Sequence, residues 1–218
     1  MASTKLIVIT MENLMPKSRK PGRPLSFDRQ KALRQAMLAF WEHGYETTSI
    51  ADLTAAMGIT APSLYTAFGD KKQLFLEATR LYAGAPDDLQ LKLDQAATAR
   101  DAAHGMLRAA ALAFTGEATP RGCLLASATA SGSVESSDVQ RAVAEIRLDI
   151  MTRLERRIGL DVAVGILPAS TSAANLAAMV VAVIQGLSVL ARDGLDRDAL
   201  MGVADCAAKA WPSPPIGR

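Results

Sequence analysis

Apolar residues recur at intervals of three and four along almost the whole chain after residue 25, and no stretch there alternates strictly between apolar and polar residues. This spacing puts apolar side chains on one face of an α-helix, whereas strict alternation is typical of a half-buried strand. The clearest example is the series Leu33, Ala36, Met37, Phe40 and Trp41. The pattern therefore predicts an all-α protein.

Capping residues and glycines divide the first part of this pattern into four helices. A Ser, Thr or Asp before an apolar run predicts a helix start, and a glycine after the run predicts its end. The expected signals are Ser26 or Asp28 with Gly44, Thr48 with Gly58, Thr60 for a third helix ending near Phe68, and Asp70 with Gln73 for a fourth that breaks at Gly84 and Pro86.

The rest of the chain predicts six further helices, near 87–97, 99–115, 122–131, 136–159, 171–192 and 197–210. Half of the 218 residues are hydrophobic and 21% are charged, which excludes wholesale disorder and supplies a sizeable core. Two apolar stripes mark core faces: Ala103, Met106, Leu107, Ala110 and Phe114, and Val139, Val143, Ile146, Ile150, Leu154 and Ile158.

The second and third helices have the spacing of a helix-turn-helix. Apolar residues at Leu53, Met57, Ile59 and Leu64 would lock the two helices together, and Gly58 permits the left-handed backbone of a turn between them. A tri-helical DNA-binding unit is therefore predicted. Its third helix would show small or hydroxylated side chains that can approach base edges, at Thr60, Ala61, Ser63, Tyr65, Thr66 and Ala67.

The charge distribution favours an anionic partner for this half of the chain. Residues 1–82 carry 11 Lys and Arg against 7 Asp and Glu, whereas residues 83–218 carry 13 against 15. Lys71 and Lys72 follow the third helix, where an ammonium group can meet phosphate. The proline-stiffened run 17–24 would place Arg23 in a minor groove; a solvated tail that aids solubility is the alternative.

Three sequence runs resemble the TetR family of bacterial transcriptional regulators. They are residues 47–53 (TTSIADL), 58–60 (GIT) and above all 63–75 (SLYTAFGDKKQLF), which is similar to the family's Leu-Tyr-x-x-Phe-x-x-Lys-x-x-Leu signature. The resemblance covers residues 26–76. Thr54 and Ala67 depart from the family pattern, which usually has alanine at the first position and a larger polar or aromatic group at the second.

The resemblance implies a role for each matching residue of the DNA-binding unit. Tyr65 and Lys71 would contact phosphates, Thr48 or Ser49 would touch the DNA backbone, and Ser63 and Thr66 would face bases. For Tyr65 the alternative is a half-buried aromatic of the core.

The helix near 171–192 predicts an interface between two copies of the chain. Ala174, Ala178, Ala182 and Gly186 repeat every four residues and form a smooth ridge, next to a bulkier face that includes Leu187. A helix that is apolar on so many sides needs burial from more than one direction. A homodimer meets that need, and a central helix of a single chain is the alternative. The resemblance implies that the last two helices of each subunit pair as a four-helix bundle.

The resemblance also implies an effector pocket in the second half of the chain. Leu107, Phe114, Met151 and Met179 favour a largely apolar small molecule, although each would serve equally as plain core. No paired carboxylates and no phosphate loop are apparent. No metal-ligand set is apparent either, since the two histidines are isolated. No catalytic activity, metal or cofactor is expected.

Cys123 has two interpretations. It follows Arg121 and Gly122 at an expected helix start, where a helix dipole and a guanidinium would both lower a thiol pKa, as in an oxidant or electrophile sensor. The alternative is a small apolar residue packed under a helix. Cys206, mid-helix beside two alanines, is expected to fill an interface.

Together these patterns predict a flexible basic arm over 1–25, a DNA-binding domain over 26–76 and an effector-binding and dimerisation domain over 77–218. The expected function is a cytoplasmic, homodimeric, ligand-responsive repressor of a palindromic DNA operator. The alternative is a helical small-molecule-binding protein, or a redox or electrophile sensor acting through Cys123. The uncharged stretch 162–191 is expected to be a buried helix rather than a membrane span, because much of it is alanine with polar residues between.

Overall fold

A computed structural model describes residues 27–127 and 137–212 of the protein. The predicted arm over 1–25, including Arg23, and the alternative cap Ser26 lie outside the described residues. Within the described ranges the chain forms helices and no strand, so the all-α prediction is confirmed. The helices are α1 (Arg29–His43), α2 (Ile50–Met57), α3 (Ala61–Phe68), α4 (Lys71–Ala83), α5 (Pro86–Gln95), α6 (Ala99–Phe114), α7 (Leu124–Ser127), α8 (Ser137–Ala163), α9 (Ala173–Arg192) and α10 (Arg197–Lys209).

Three of the four predicted helix starts in the first half are confirmed. The side chains of Asp28, Thr60 and Asp70 each accept a hydrogen bond from a backbone N–H in the first turn of α1, α3 and α4. The prediction for α2 was wrong. Ser49 caps that helix through a reciprocal capping box with Asp52, whereas the Thr48 side chain is buried and its hydroxyl donates to the Gly44 carbonyl.

In the second half, α6, α9 and α10 lie within two residues of their predicted bounds. Helix α8 continues to Ala163, four residues beyond the predicted end. Gly159 does not end it because the next turn is held by burial of Asp161 and the Arg157 side chain that pairs with it. Helix α7 covers only Leu124–Ser127 of the predicted 122–131, and the described range stops there.

Aromatic residues join α1 to α4 in the first half of the molecule. The rings of Phe40 and Phe75 meet edge to face with centroids 5.0 Å apart, and Tyr45 packs on the Phe75 ring at 4.9 Å. Both phenylalanines are fully buried. This core gives α2 and α3 a rigid base, against which Leu53 and Leu64 are completely buried.

A buried ion pair on α8 holds the turn between α5 and α6. Arg157 and Asp161 form this pair, and Asp161 also accepts the Ala99 backbone N–H at 2.6 Å. The guanidinium donates to the carbonyls of Leu93 at 3.1 Å and Ala96 at 3.2 Å. Buried charges are tolerated when they are paired and hydrogen-bonded, and here the pairing ties three helices together.

Helix α9 is the one helix among the described residues that is long and apolar enough to cross a membrane. It packs against α6, α8 and α10 through one face, which buries Ala177, Val180 and Leu187. Only 22% of its most apolar window is buried. Within a single chain, burial is therefore confined to one face of α9, and a second apolar face is left uncovered.

Candidate nucleic-acid interface

The turn between α2 and α3 has the local geometry that the glycine predicts. Gly58 adopts the left-handed conformation, with φ 66° and ψ 34°, and its N–H bonds back to the end of α2. The Ile59 N–H donates to the Thr54 carbonyl at 3.1 Å. Beyond this turn, Leu64 and Phe68 are the buried residues of α3, and they attach the inner side of the helix to the core.

The opposite side of α3 faces outward. Tyr65 is 51% exposed, so the interpretation of this residue as a core aromatic is wrong. Thr60 and Thr66 are also exposed, and Ala61 and Ser63 are half-buried at the helix edge. The structure thus brings five of the six residues predicted for this face together on one eight-residue helix and its cap, whereas the sixth, Ala67, packs against the core.

The hydroxyl groups on this face are already oriented by local hydrogen bonds. Thr66 donates its proton to the Pro62 carbonyl at 2.8 Å, which leaves its oxygen lone pairs directed away from the backbone. Thr60 and Ser63 share a hydrogen bond of 2.9 Å between their side-chain oxygens. Oriented hydroxyls of this kind can accept from the exocyclic amino groups of adenine or cytosine.

The start of α2 presents Ser49 beside this surface. The Ser49 hydroxyl donates to the Asp52 carboxylate at 2.6 Å and accepts from the Asp52 N–H at 3.1 Å. These bonds from Ser49 hold the pKa of the exposed Asp52 carboxyl below its ordinary value. Of the two candidates for a contact with the DNA backbone, Ser49 is exposed and Thr48 is buried.

The two lysines after α3 have different surroundings. Lys71 lies 4.6 Å over the Tyr45 ring, and its ammonium donates to the Glu46 carbonyl at 3.3 Å. Burial lowers the pKa of Lys71. Lys72 instead forms an exposed ion pair with Asp138 at the start of α8, and its phosphate contact stays a prediction. Tyr45, which the sequence did not single out, lies under the Lys71 ammonium in the segment between α1 and α2.

The residues predicted to line an effector pocket belong to the core of the second half. Leu107 and Phe114 on α6 are buried, and Met151 on α8 and Met179 on α9 pack against the same core. An open cleft of about 490 Å³ lies elsewhere, between α1, α3 and α4. The effector pocket therefore stays a prediction.

Cys123 lies at a junction of the two halves of the molecule. Its backbone N–H donates to the Ser188 hydroxyl of α9 at 2.8 Å, and the Tyr82 hydroxyl of α4 donates to its sulfur at 3.4 Å. Burial raises the pKa of Tyr82 well above its ordinary value, so this hydroxyl stays a donor. Arg121, which was expected to act on the thiol, bonds instead to the Leu195 carbonyl.

Hydrogen bonds around Gly122 continue this junction into α1. The Trp41 indole N–H donates to the Gly122 carbonyl at 3.0 Å, and Arg192 at the end of α9 donates to the Trp41 carbonyl at 2.9 Å. The Tyr82 ring packs edge-on against Trp41 at 4.8 Å. The end of α1 is therefore bonded to both the 122–123 segment and α9.

The ridge predicted for dimerisation lies on the uncovered face of α9. Ala174, Ala178, Ala182 and Gly186 are all exposed, and Val189 continues their line at 57% exposure. On α10, Cys206 is also exposed. A strip of small residues at the surface is the arrangement that lets a second helix approach closely.

Comparisons with known proteins agree with this arrangement. Residues 32–78 match the family model described as bacterial regulatory proteins, tetR family, and residues 104–204 match the model of the tetracyclin repressor-like C-terminal domain. The chain is 34% identical over 194 residues to the HTH-type transcriptional repressor ComR of Escherichia coli strain K12, which covers 88% of this chain and 92% of that protein. The chain belongs to the TetR family.

Solved structures of TetR regulators share its fold. A cysteine mutant of the regulator CifR, complexed with a 26-bp double-strand operator DNA, is 41% identical with a TM-score of 0.82, and the match covers 88% of this chain and all of that one. The reduced form of E. coli NemR is 17% identical with a TM-score of 0.72, over 86% of this chain and 99% of that one, which is a likeness of fold. The chain is accordingly a DNA-binding transcriptional regulator with a helix-turn-helix, as predicted.

Proposed function

We propose that this TetR-family protein is a cytoplasmic repressor that binds a palindromic double-stranded operator as a homodimer and releases it when a small, largely apolar effector binds. No catalytic step, metal or cofactor is part of this function. The observation that carries the proposal is the two-sidedness of α3, whose inner residues Leu64 and Phe68 are buried while Tyr65 is 51% exposed. A short helix with one side packed on the core and the opposite side exposed to solvent can enter a major groove.

The residues at this surface divide into positioning and base-reading groups. Tyr65, Lys71 and Ser49 would bind phosphates and fix the orientation of the protein on the duplex. Thr60, Ala61, Ser63 and Thr66 would meet base edges, where the small side chains allow close approach. Thr48 contributes through its buried hydrogen bond to Gly44, which holds the segment before α2.

The domains of this repressor would be a basic arm over 1–25, a DNA-binding domain over 26–76 and an effector-binding and dimerisation domain over 77–218. In the arm, Arg23 would enter the minor groove next to the site read by α3. The prediction is tested by exchanging an A·T step for G·C beside the preferred site, which should weaken the wild type more than an Arg23→Ala variant.

Dimerisation would bury the exposed strip on α9. Ala174, Ala178, Ala182 and Gly186 leave the α9 backbone open to close approach by the same helix of a second subunit. Two copies related by a two-fold axis would then present their α3 helices to half-sites about 34 Å apart. Effector bound among Leu107, Phe114, Met151 and Met179 would favour a different spacing of the two subunits, and a coupling of about 1–3 kcal/mol is usual for such switches.

Selection of duplexes from a random-sequence pool tests the proposal directly. The wild-type protein should enrich an inverted repeat, and a protein that retains no duplex or enriches no symmetric sequence would contradict the proposed function. On the selected duplex, Tyr65→Ala and Lys71→Ala should each weaken binding by about 1–3 kcal/mol, with unchanged thermal unfolding.

The salt dependence separates the two contacts. Removing the Lys71 charge should make the slope of log affinity against log salt shallower by about 0.9, whereas removing the neutral Tyr65 should leave that slope as it is. Lys92→Ala on α5 is the matched control and should change neither quantity.

A second candidate function is a redox response through Cys123, favoured by the position of this thiol. The sulfur accepts a hydrogen bond from Tyr82, whose ring packs on Trp41 at the end of α1. A sulfenic acid formed there would add a polar oxygen to a buried contact between α1, α4 and α9. Peroxide should then weaken duplex binding by the wild type and the Cys206→Ser variant, but not by Cys123→Ser; an equal response of all three proteins would exclude the sensor.

A further inference from the structure

Arg29, the first residue of α1, joins three helices of the DNA-binding unit through one guanidinium. Its two terminal nitrogens donate to the two carboxylate oxygens of Glu77 on α4, at 2.6 and 2.7 Å. Its Nε and Nη2 donate to the Ala67 carbonyl of α3, at 3.3 and 3.1 Å. The guanidinium also lies 4.4 Å from the centre of the Phe68 ring. We call this arrangement of Arg29, Glu77 and Ala67 the Arg29 fork.

The Arg29 fork contacts the last turn of α3, at the Ala67 carbonyl. Helix α3 has eight residues, and its buried residues are Leu64 and Phe68. The carbonyls of its last turn have no partners within the helix, so they need an external donor. An open cleft of about 490 Å³ lies beside this end of the helix, between α1 and α4. The fork is the contact that spans the rim of this cleft and holds the Ala67 carbonyl.

We propose that Arg29 is a positioning residue for sequence recognition: the Arg29 fork sets the orientation of α3 in the major groove, without itself contacting DNA. This inference rests on the proposed function. A helix anchored by two adjacent apolar turns can tilt about them, and hydrogen bonds to base edges tolerate displacements of only about 0.5 Å. Contacts to phosphate tolerate more, because a flexible side chain can follow the shift.

The hydrogen bonds of Arg29 argue for positioning rather than for direct binding of phosphate. Four N–H donations to Glu77 and Ala67 leave one of its five donors, which is too few for a bidentate phosphate contact. The neighbouring carboxylate also neutralises its charge. Lysine cannot replace the fork, since an ammonium lacks the planar geometry that reaches Glu77 and Ala67 together.

The test is Arg29→Lys, with Arg80→Lys as its matched control. Arg80 lines the same cleft and is exposed. Each protein is titrated with the duplex that the wild type selects from a random pool and with a scrambled duplex of equal length, at several salt concentrations. Each affinity is calculated from the concentration of protein that is competent to bind. A loss of stability then does not change the ratio of the two affinities.

Arg29→Lys should lower the ratio of selected to scrambled affinity by about tenfold, which is the size of one good base contact, with the salt slope unchanged. Glu77→Gln should lower this ratio by a smaller factor. The double variant should lose less free energy of discrimination than the two single variants added together, because both residues act through one fork. Arg80→Lys should behave as wild type.

Two outcomes would overturn the inference. An unchanged ratio in Arg29→Lys would show that α3 keeps its orientation without the fork. An equal loss of affinity for both duplexes in Arg29→Lys would assign Arg29 to a sequence-independent contact with phosphate rather than to the orientation of α3. Failure of the wild type to select any duplex is a separate result, which contradicts the proposed function instead.

Discussion

Substitution of Gly122 by alanine should destabilise the protein more than the same substitution at any open glycine. Gly122 has φ 81°, and a Cβ built on it would lie 2.8 Å from Arg192 Nε and 2.9 Å from the Ser188 carbonyl oxygen. The arginine side chain can move aside, but the carbonyl belongs to the backbone of α9. The clash between the new Cβ and the Ser188 carbonyl can therefore be relieved only if the 122–123 segment moves away from α9.

The magnitude follows from separating two costs. A positive φ costs an L-residue about 1–2 kcal/mol, wherever it occurs. Forcing a methyl group into filled space adds about 1–3 kcal/mol. Gly165 is the matched control, because its φ is 77° and no atom lies within 4 Å of a Cβ built there. Gly165→Ala should thus lose about 1–2 kcal/mol by the first cost alone, and Gly122→Ala about 2–5 kcal/mol by both.

Urea unfolding of the three proteins at one protomer concentration measures the difference. The free energy of unfolding is obtained by linear extrapolation, with the m-value compared among variants to check that the folded and unfolded states stay alike. Equal losses in Gly122→Ala and Gly165→Ala would refute the steric argument and the close packing of residues 122–123 on α9.

Three further outcomes are expected. Asp161→Asn should cost about 3–5 kcal/mol in urea unfolding because it strands a buried guanidinium, whereas Asp149→Asn in an exposed pair on the same helix should cost less than about 1 kcal/mol. Ala178→Glu should shift sedimentation at micromolar concentration from dimer to monomer; an unshifted dimer would exclude the α9 strip. The hydrogen bonds from Ser49 hold the pKa of the Asp52 carboxyl below its ordinary value, so the capping box stabilises α2 fully at neutral pH, and that contribution is lost as the pH falls through the lowered pKa. In Asp52→Asn the free energy of unfolding should therefore fall less on acidification than in the wild type. An equal fall in the two proteins would contradict this.

Local patterns predicted much of the fold correctly because they act within one or two helical turns. The caps Asp28, Thr60 and Asp70 stand beside the N–H groups that they accept, and Gly58 supplies the conformation of its own turn. The exposed side of α3 also follows from spacing alone. Once Leu64 and Phe68 face inward, Tyr65 has to face outward.

The sequence could not rank neighbouring residues of like chemistry. Thr48 and Ser49 are both good caps, but the Thr48 side chain is buried with its hydroxyl bonded to the Gly44 carbonyl, which leaves Ser49 as the cap. Lys71 and Lys72 are equivalent by sequence, but the Tyr45 ring holds one of them and Asp138 the other.

The sequence by itself determined the all-helical class, the order of the helices, the family and the outward side of α3, since each depends on periodicity or on a short motif. The tertiary structure decided the partners of the charged and polar groups. Arg29 meets Glu77 across 48 residues, Lys72 meets Asp138 across 66 and Trp41 meets Gly122 across 81. No local pattern carries such pairings, because the packing angles of whole helices bring those side chains within hydrogen-bond distance.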